Sequence, residues 1–126
     1  MIHGVGVDIL DIDRIRPLSA DWNDSFFIKT FTEKERAEAA LREDPSRYFA
    51  GRFSAKEAVF KALRIPSDAI RLNEIEILND AENKPCVHLL SRAEQVATGL
   101  GVGRLSVSLS NDGDFVISFA ICEYAD

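Results

Sequence analysis

Residues 47–63, RYFAGRFSAKEAVFKAL, set the frame for the rest of the chain. The run follows an Asp44-Pro45-Ser46 break and contains no proline, so it predicts a long helix from about Arg47 to Leu63. At 100° per residue, Tyr48, Phe49, Phe53, Val59, Phe60 and Leu63 fill an arc about 140° wide. Gly51, Ala55, Ala58 and Ala62 gather within about 60° on the far side. Small residues let another backbone come close, so this helix is expected to be buried on two sides. Gly51 costs about 1 kcal/mol relative to alanine, which tight packing can offset. Arg52 and Lys56 fall inside the aromatic arc, one turn apart. Their mutual repulsion is a few tenths of a kcal/mol, whereas burying them unpaired would cost far more. Either anionic groups sit beside them or their stems reach outward to water. Glu57 flanks the arc and Lys61 follows one turn later. This pair reads equally as a surface ion pair worth about 0.2–0.5 kcal/mol or as part of a site.

Upstream, Val5, Val7 and Ile9 alternate with Gly4, Gly6 and Asp8, which predicts a strand with one face stripped of side chains up to the aspartate. Such a face suits a ligand or a packed neighbour. Ile12 and Ile15 suggest a short helix stopped near Pro17, and another short piece runs through Phe26 and Phe27. Thr32 and Glu35 form a capping-box pattern that opens a helix through Arg42. Downstream, Ile75 and Ile77 alternate with Glu74 and Glu76, a turn-rich segment spans 80–85, and Val87 to Leu90 returns as a second strand. Ser91 and Glu94 suggest another capping box, with that helix ending around Gly99 to Gly103. Leu105, Val107 and Leu109 alternate, Asn111-Asp112-Gly113 turns the chain, and Phe115, Ile117, Phe119 and Ile121 alternate as core positions. One strand, helices, a hairpin, a helix and a second hairpin make an α+β domain with a largely antiparallel sheet.

The bulk properties narrow the function. The 126 residues fit one domain, 1–126, with its own core, and 46% hydrophobic with 29% charged residues is ordinary for a soluble protein. A net charge of −6 argues against a nucleic-acid binder, which needs a basic footprint. MIHGVGVDIL lacks a basic n-region and no apolar run is long enough for a membrane span, so a cytoplasmic protein is expected. Cys86 and Cys122 lack metal-ligand spacing and read as core thiols. Asp8 on a strand and Glu57 on the helix, with basic side chains near, would suit a hard cation and a polyphosphate, because magnesium takes few carboxylates and completes its shell with phosphate and water.

Taken together, GVGVDILDIDRI, FTEKE, RYFAGRFSAKEAVFKAL, EIEILNDAENKP and LSVSLSNDGDFVISFAI resemble the holo-[acyl-carrier-protein] synthase family of phosphopantetheinyl transferases, over nearly the whole chain and in order. The resemblance implies a β-α(3)-β(2)-α-β(2) fold packed on the long helix, and a homotrimer with sites between subunits. It implies transfer of 4'-phosphopantetheine from coenzyme A to a serine of an apo acyl carrier protein, with Mg2+ as cofactor and 3',5'-ADP released. Asp8 and Glu57 match the family's magnesium ligands, with Glu57 or a water as base. Lys61 matches a lysine at the reacting phosphates. Arg52 matches a coenzyme A phosphate contact, with Lys56 expected beside it, and Arg14 matches an arginine that docks the carrier near Leu18.

Two departures stand out. The family commonly reads Ser-His in the penultimate strand, where this chain has Ser110-Asn111. Asn111 can donate to a phosphate but carries no charge, or it simply supports the following turn. After Arg14 and Arg16 come Asp21 and Asp24, which weaken the positive patch an acidic carrier would meet, unless they face solvent elsewhere. A non-catalytic coenzyme A or carrier-binding module on the same fold, or a structural oligomeric domain, are the competing readings. His3 and His88 have no partner spacing, Trp22 reads as a loop anchor, and Ser106, Ser108 and Ser110 have no base to activate them.

Overall fold

A computed structural model describes residues 1–126. Strand β1 (Ile2–Asp11) leads through two 3-10 turns, Ile12–Arg14 and Arg16–Ala20, into α1 (Ser25–Thr30), α2 (Glu33–Ala39) and α3 (Pro45–Leu63). A third 3-10 turn, Leu72–Glu74, precedes β2 (Ile75–Asn79) and β3 (Pro85–Leu89); α4 (Ser91–Gly99), β4 (Val102–Asp112) and β5 (Phe115–Tyr124) complete the chain. This is the α+β order expected, but the strands form two antiparallel sheets: β1-β5-β4 and the separate hairpin β2-β3.

α3 lies across the larger sheet, and the small stripe explains how. A Cβ on Gly6 would overlap the carbonyl of Ala58, and one on Gly4 that of Ala62. The bare face of β1 is therefore filled by a backbone, not a ligand. The two cores flank the helix. Phe49 and Ala50 pack with Phe27, Phe31, Ile12 and Val116, while Val59, Ala62 and Leu63 pack with Ile75, Ile77 and Cys122. Asp44 caps the helix by accepting from the Arg47 N–H, and Arg64 in the left-handed region (φ 60°) ends it. His3 donates from Nε2 to the Leu63 carbonyl at 2.8 Å, an ordinary structural role.

The close approach of α3 also corrects the reading of β5. The residues beneath the helix are Val116, Ser118, Ala120 and Cys122, all fully or nearly fully buried. Phe115, Ile117 and Phe119 point outward, 43–48% exposed. Both faces of β5 are apolar, so alternation alone could not choose, and a shift of one residue exchanges the faces. The helix sits too near for phenylalanine, which leaves the small residues inside. Outward, Val5, Val7 and Ile9 of β1 (54–63% exposed) lie opposite Ile121, Phe119 and Ile117. Together they make a broad, uncovered apolar sheet face.

Smaller differences have local causes. Pro17 sits in the first turn of Arg16–Ala20 rather than ending a helix, since its fixed φ suits that position. α2 stops at Ala39, short of Arg42, although the Thr32–Glu35 capping box is present as expected. Ser91 does not cap α4: it is itself at φ 49°, Leu90 occupies the cap position, and Glu74 accepts from the Ala93 N–H instead. Asn111 and Asp112 belong to β4, opposite Val116 and Phe115, so the turn is Gly113-Asp114 with Gly113 at φ 59°. Cys122 is buried but Cys86 is exposed, so only one thiol is in the core. Trp22 anchors its loop, donating to the Ser19 carbonyl at 2.9 Å and meeting the Phe49 ring edge-on.

Candidate active site

The inward parity of β1 carries Gly4, Gly6 and then Asp8 along α3. Where the strand clears the alanine stripe, the aspartate meets the charged flank of the helix. Asp8 is 17% exposed at its side chain, and its carbonyl accepts from the Ser54 hydroxyl at 3.4 Å. Lys61 donates to the Val7 carbonyl at 3.0 Å and reaches Asp8 Oδ1 at 3.4 Å, with half its side chain in solvent. It thus pairs with Asp8 and not with Glu57. Glu57 stands one turn before Lys61, half-buried, and accepts no hydrogen bond from the chain. Burial pushes its carboxyl above the usual glutamate range, the Asp8 charge pushes it further, and Lys61 opposes both. The strand acid and the helix acid are therefore near enough for each to feel the other's charge. No group of three metal-ligating side chains exists anywhere in the chain. Asp8 and Glu57 are the pair that could hold a hard cation, as two carboxylates with room left for other oxygens.

The other flank of α3 behaves differently. Arg52 lies about 140° around the helix from Glu57 and about 180° from Lys61, so the expected gathering of three basic groups around Asp8 does not occur. Only Lys61 is there. Lys56 is fully buried: its Nζ pairs with Glu35 Oε1 at 2.8 Å and donates to the carbonyls of Leu72, at 3.0 Å, and of Ile75. It faces no open surface and is not available to coenzyme A, which corrects its expected binding role. Burial draws its pKa down while Glu35 and Glu76 draw it up. Glu35 spends its oxygens on the Thr32 and Ile77 N–H groups as well, and Glu76 accepts from the Thr32 hydroxyl at 2.6 Å. The anionic groups that Arg52 and Lys56 require are thus the chain's own. Glu35 and Glu38 of α2 meet Lys56 and Arg52 of α3 in matched pairs. Acids three apart on α2 thus face bases four apart on α3, a match that exists only because the two helices lie side by side.

Arg52 itself is 7% exposed, stacked on the Tyr48 ring at 4.5 Å from its centroid, and bonded to Glu38 and Asn79. It lines a cleft of about 440 Å³ with Arg42, Arg47, Tyr48, Leu109 and Asn111. Glu43 and Asp44 line it too, and Arg42 and Arg52 pair with Glu38 while Arg47 pairs with Asp44; three guanidinium groups against two lining carboxylates leave a small positive excess toward anions. Burial pushes the Tyr48 hydroxyl up to about 12, so it stays protonated. Neither Asp8 nor Glu57 lines the cleft. Asn111 lines the same cleft as Arg52 and lies in β4 rather than in the turn.

Arg14 ends the first 3-10 turn, exposed and without an ionic partner, while Leu18 is 42% exposed. Arg16, by contrast, is held by both oxygens of Asp44 at 3.1–3.2 Å. Asp24 caps α1 through the Phe26 N–H, and Asp21 accepts from the Asn23 N–H. Those aspartates serve local turns.

The model of the 4'-phosphopantetheinyl transferase superfamily matches residues 4–120. A holo-[acyl-carrier-protein] synthase of Clostridium acetobutylicum is 40% identical over 123 residues, covering 98% of each chain. The crystal structure of the synthase of that name from Neisseria meningitidis superimposes with a TM-score of 0.88 at 32% identity, covering 98% of this chain and 99% of the other. One from Bacillus anthracis, solved in complex with CoA (3',5'-ADP), gives 0.81 at 27% identity and 99% coverage of both.

Proposed function

This chain belongs to the 4'-phosphopantetheinyl transferase superfamily, and on that premise we propose how its own residues carry out the transfer and what they require. It is a holo-[acyl-carrier-protein] synthase: it moves 4'-phosphopantetheine from coenzyme A to a serine of an apo acyl carrier protein. The observation that carries the site assignment is the meeting of Asp8 and Glu57 beside Lys61, with the Glu57 carboxylate free of any hydrogen bond.

Two carboxylates with no cation between them repel, and a divalent ion would relieve that. The donor set fits Mg2+, which accepts two protein oxygens and leaves positions for water and phosphate. When bound, it supplies Lewis-acid neutralisation of the pyrophosphate. The rest falls to the chain. The carrier's serine oxygen attacks the pantetheine-side phosphorus, a new P–O bond forms, and the pyrophosphate P–O bond breaks with its electron pair leaving on 3',5'-ADP. Glu57, whose carboxyl burial raises above the usual glutamate range, takes the serine proton. Lys61, half in solvent and loosely tied to Asp8, turns to the departing phosphate.

The anion cleft at Arg52 and Asn111 takes the phosphate-bearing nucleotide end of coenzyme A. In one chain this cleft and the carboxylate pair flank opposite sides of α3. A second copy seated on the apolar sheet face would bring the cleft of one subunit to the acids of the next, so we assign the active assembly as a homotrimer. A contiguous apolar face built from both β1 and β5 supports this, since monomers rarely leave such patches open. Arg14 and Leu18 offer the carrier a free cation beside an apolar contact. No helix is long and apolar enough to cross a membrane; two free thiols suit the reducing cytoplasm, where we place the reaction.

The test is mass spectrometry of a panel of apo carriers incubated with the protein, coenzyme A and Mg2+. A gain of one phosphopantetheine with release of 3',5'-ADP is expected. Tight binding without any mass gain would make the chain a binding module instead. Phe119→Arg should yield a folded monomer without transfer; a trimer by light scattering would remove the sheet face from the assembly.

A further inference from the structure

We propose that Asn79, at the end of β2, is a positioning residue that aims the Arg52 guanidinium into the anion cleft through a relay anchored on Asn83. The inference rests on reading that cleft as the phosphate end of the coenzyme A site.

Arg52 is pulled two ways. Its Nη2 reaches Glu38 Oε1 at 3.4 Å, a long contact toward α2, and Asn79 Oδ1 at 2.7 Å, a short one toward the cleft rim. Pro85, which faces Asn79 across the β2-β3 hairpin, lines that same cleft. The guanidinium can only donate, so the Asn79 atom facing it must be the oxygen. That fixes the amide: Nδ2 then points to Asn83, whose Oδ1 accepts it at 2.9 Å. Asn83 holds φ 64°, a conformation asparagine tolerates better than most residues, in the hairpin turn whose Asp80 N–H donates to the Lys84 carbonyl. The relay therefore runs from a fixed turn, through one amide, to the arginine.

What it leaves open is the telling part. The Arg52 Nε is fully buried and has no partner. A buried, unpartnered donor on a charged group is costly, so the bonds at Nη2 must hold the head group in place against that cost. Asn79 is also a neutral acceptor. It holds the guanidinium by a short bond without adding to the negative charge that Glu38 already brings at 3.4 Å.

The test joins a ligand-free readout to a binding one. In wild type the 15N-bound Nε proton of Arg52 should exchange slowly and give a resolved NMR signal; in Asn79→Ala it should broaden or exchange fast. Calorimetry with coenzyme A should show about tenfold weaker binding in Asn79→Ala, the scale of one charge-assisted hydrogen bond. KM should rise with kcat held, because the reacting groups lie on the other flank of α3. Asn83→Gly keeps the turn and removes only the anchor, so it should lose about threefold, part of the same effect. The Asn79→Ala/Arg52→Ala double variant should bind no worse than Arg52→Ala alone. An unchanged Arg52 signal in Asn79→Ala, additive losses, or a fall in kcat without change in KM would overturn the relay. Arg52→Ala binding coenzyme A as wild type does would instead overturn the cleft reading, and the NMR signal would still judge the relay.

Discussion

The two flanks of α3 carry nearly the same residue types and do opposite things. On one, Lys56 pairs with Glu35 with neither side chain exposed, and its ammonium has a carboxylate and two carbonyls as acceptors. On the other, Lys61 meets Asp8 loosely while Glu57 accepts nothing. Satisfaction, not composition, separates them. A saturated buried cluster ties α2, α3 and β2 together; an unsaturated, half-open one waits for a ligand. A lysine near two acids in a sequence does not distinguish these cases.

Breaking the saturated flank should have the largest effect. Lys56→Ala strands the buried Glu35 carboxylate and Glu35→Ala strands a buried ammonium, so each should cost about 3–5 kcal/mol in urea unfolding. Replacing both by apolar residues of similar size should recover much of that loss. A small cost for either single variant would mean the cluster is wetter than it looks.

Breaking the open flank should leave the fold standing and stop the chemistry. Asp8→Asn and Glu57→Gln should abolish transfer and the thermal stabilisation given by Mg2+. In metal-free buffer neither should unfold the chain, and both should raise its melting temperature by removing like-charge repulsion. The pH dependence has a definite sign. Folded Glu57 keeps its proton to higher pH than the unfolded chain does. The folded state therefore holds the extra proton as pH climbs out of the ordinary glutamate range, and stability declines through that window. Glu57→Gln should flatten the decline, and differential scanning at several pH values reads it directly.

Much of this contrast could be read in the sequence, and the boundary of what could not is physical. The order of elements and the α3 stripe follow from local periodicity, whereas the pairing of Asp8 with Glu57 is implied by the family resemblance; the periodicity leaves the bare face of β1 open to a ligand or a neighbour, and the structure fills it with the backbone of Ala58 and Ala62. The fate of Lys56 did not follow. It depends on α2 lying alongside α3, a tertiary fact that helical wheels of one element do not hold. The inward face of β5 is hidden from the alternation for the same reason. Phe119 and Ala120 are both apolar, and the nearness of α3 chose between them.

Two smaller effects refine the comparison. Asn111→His adds a titratable donor to the cleft and should tighten coenzyme A binding several-fold in calorimetry, the scale of one added hydrogen bond to an anion; no change would return Asn111 to a structural role in β4. The surface pair Arg16–Asp44 should matter least. Asp44 is held below the usual aspartate range by the Arg16 hydrogen bond, with the Arg47 N–H assisting. Its contribution is present above the unfolded pKa and is lost as pH falls through the lower folded value. Arg16→Ala should shift the unfolding midpoint least of these variants near neutral pH, and less still in salt and in acid.

The account stands most directly on where a divalent ion binds. Crystals soaked with Mn2+ and coenzyme A, measured at the manganese absorption edge, should show one anomalous peak within bonding distance of both the Asp8 and Glu57 carboxylates. A peak beside neither acid, or beside only one with the other still unligated, would contradict it.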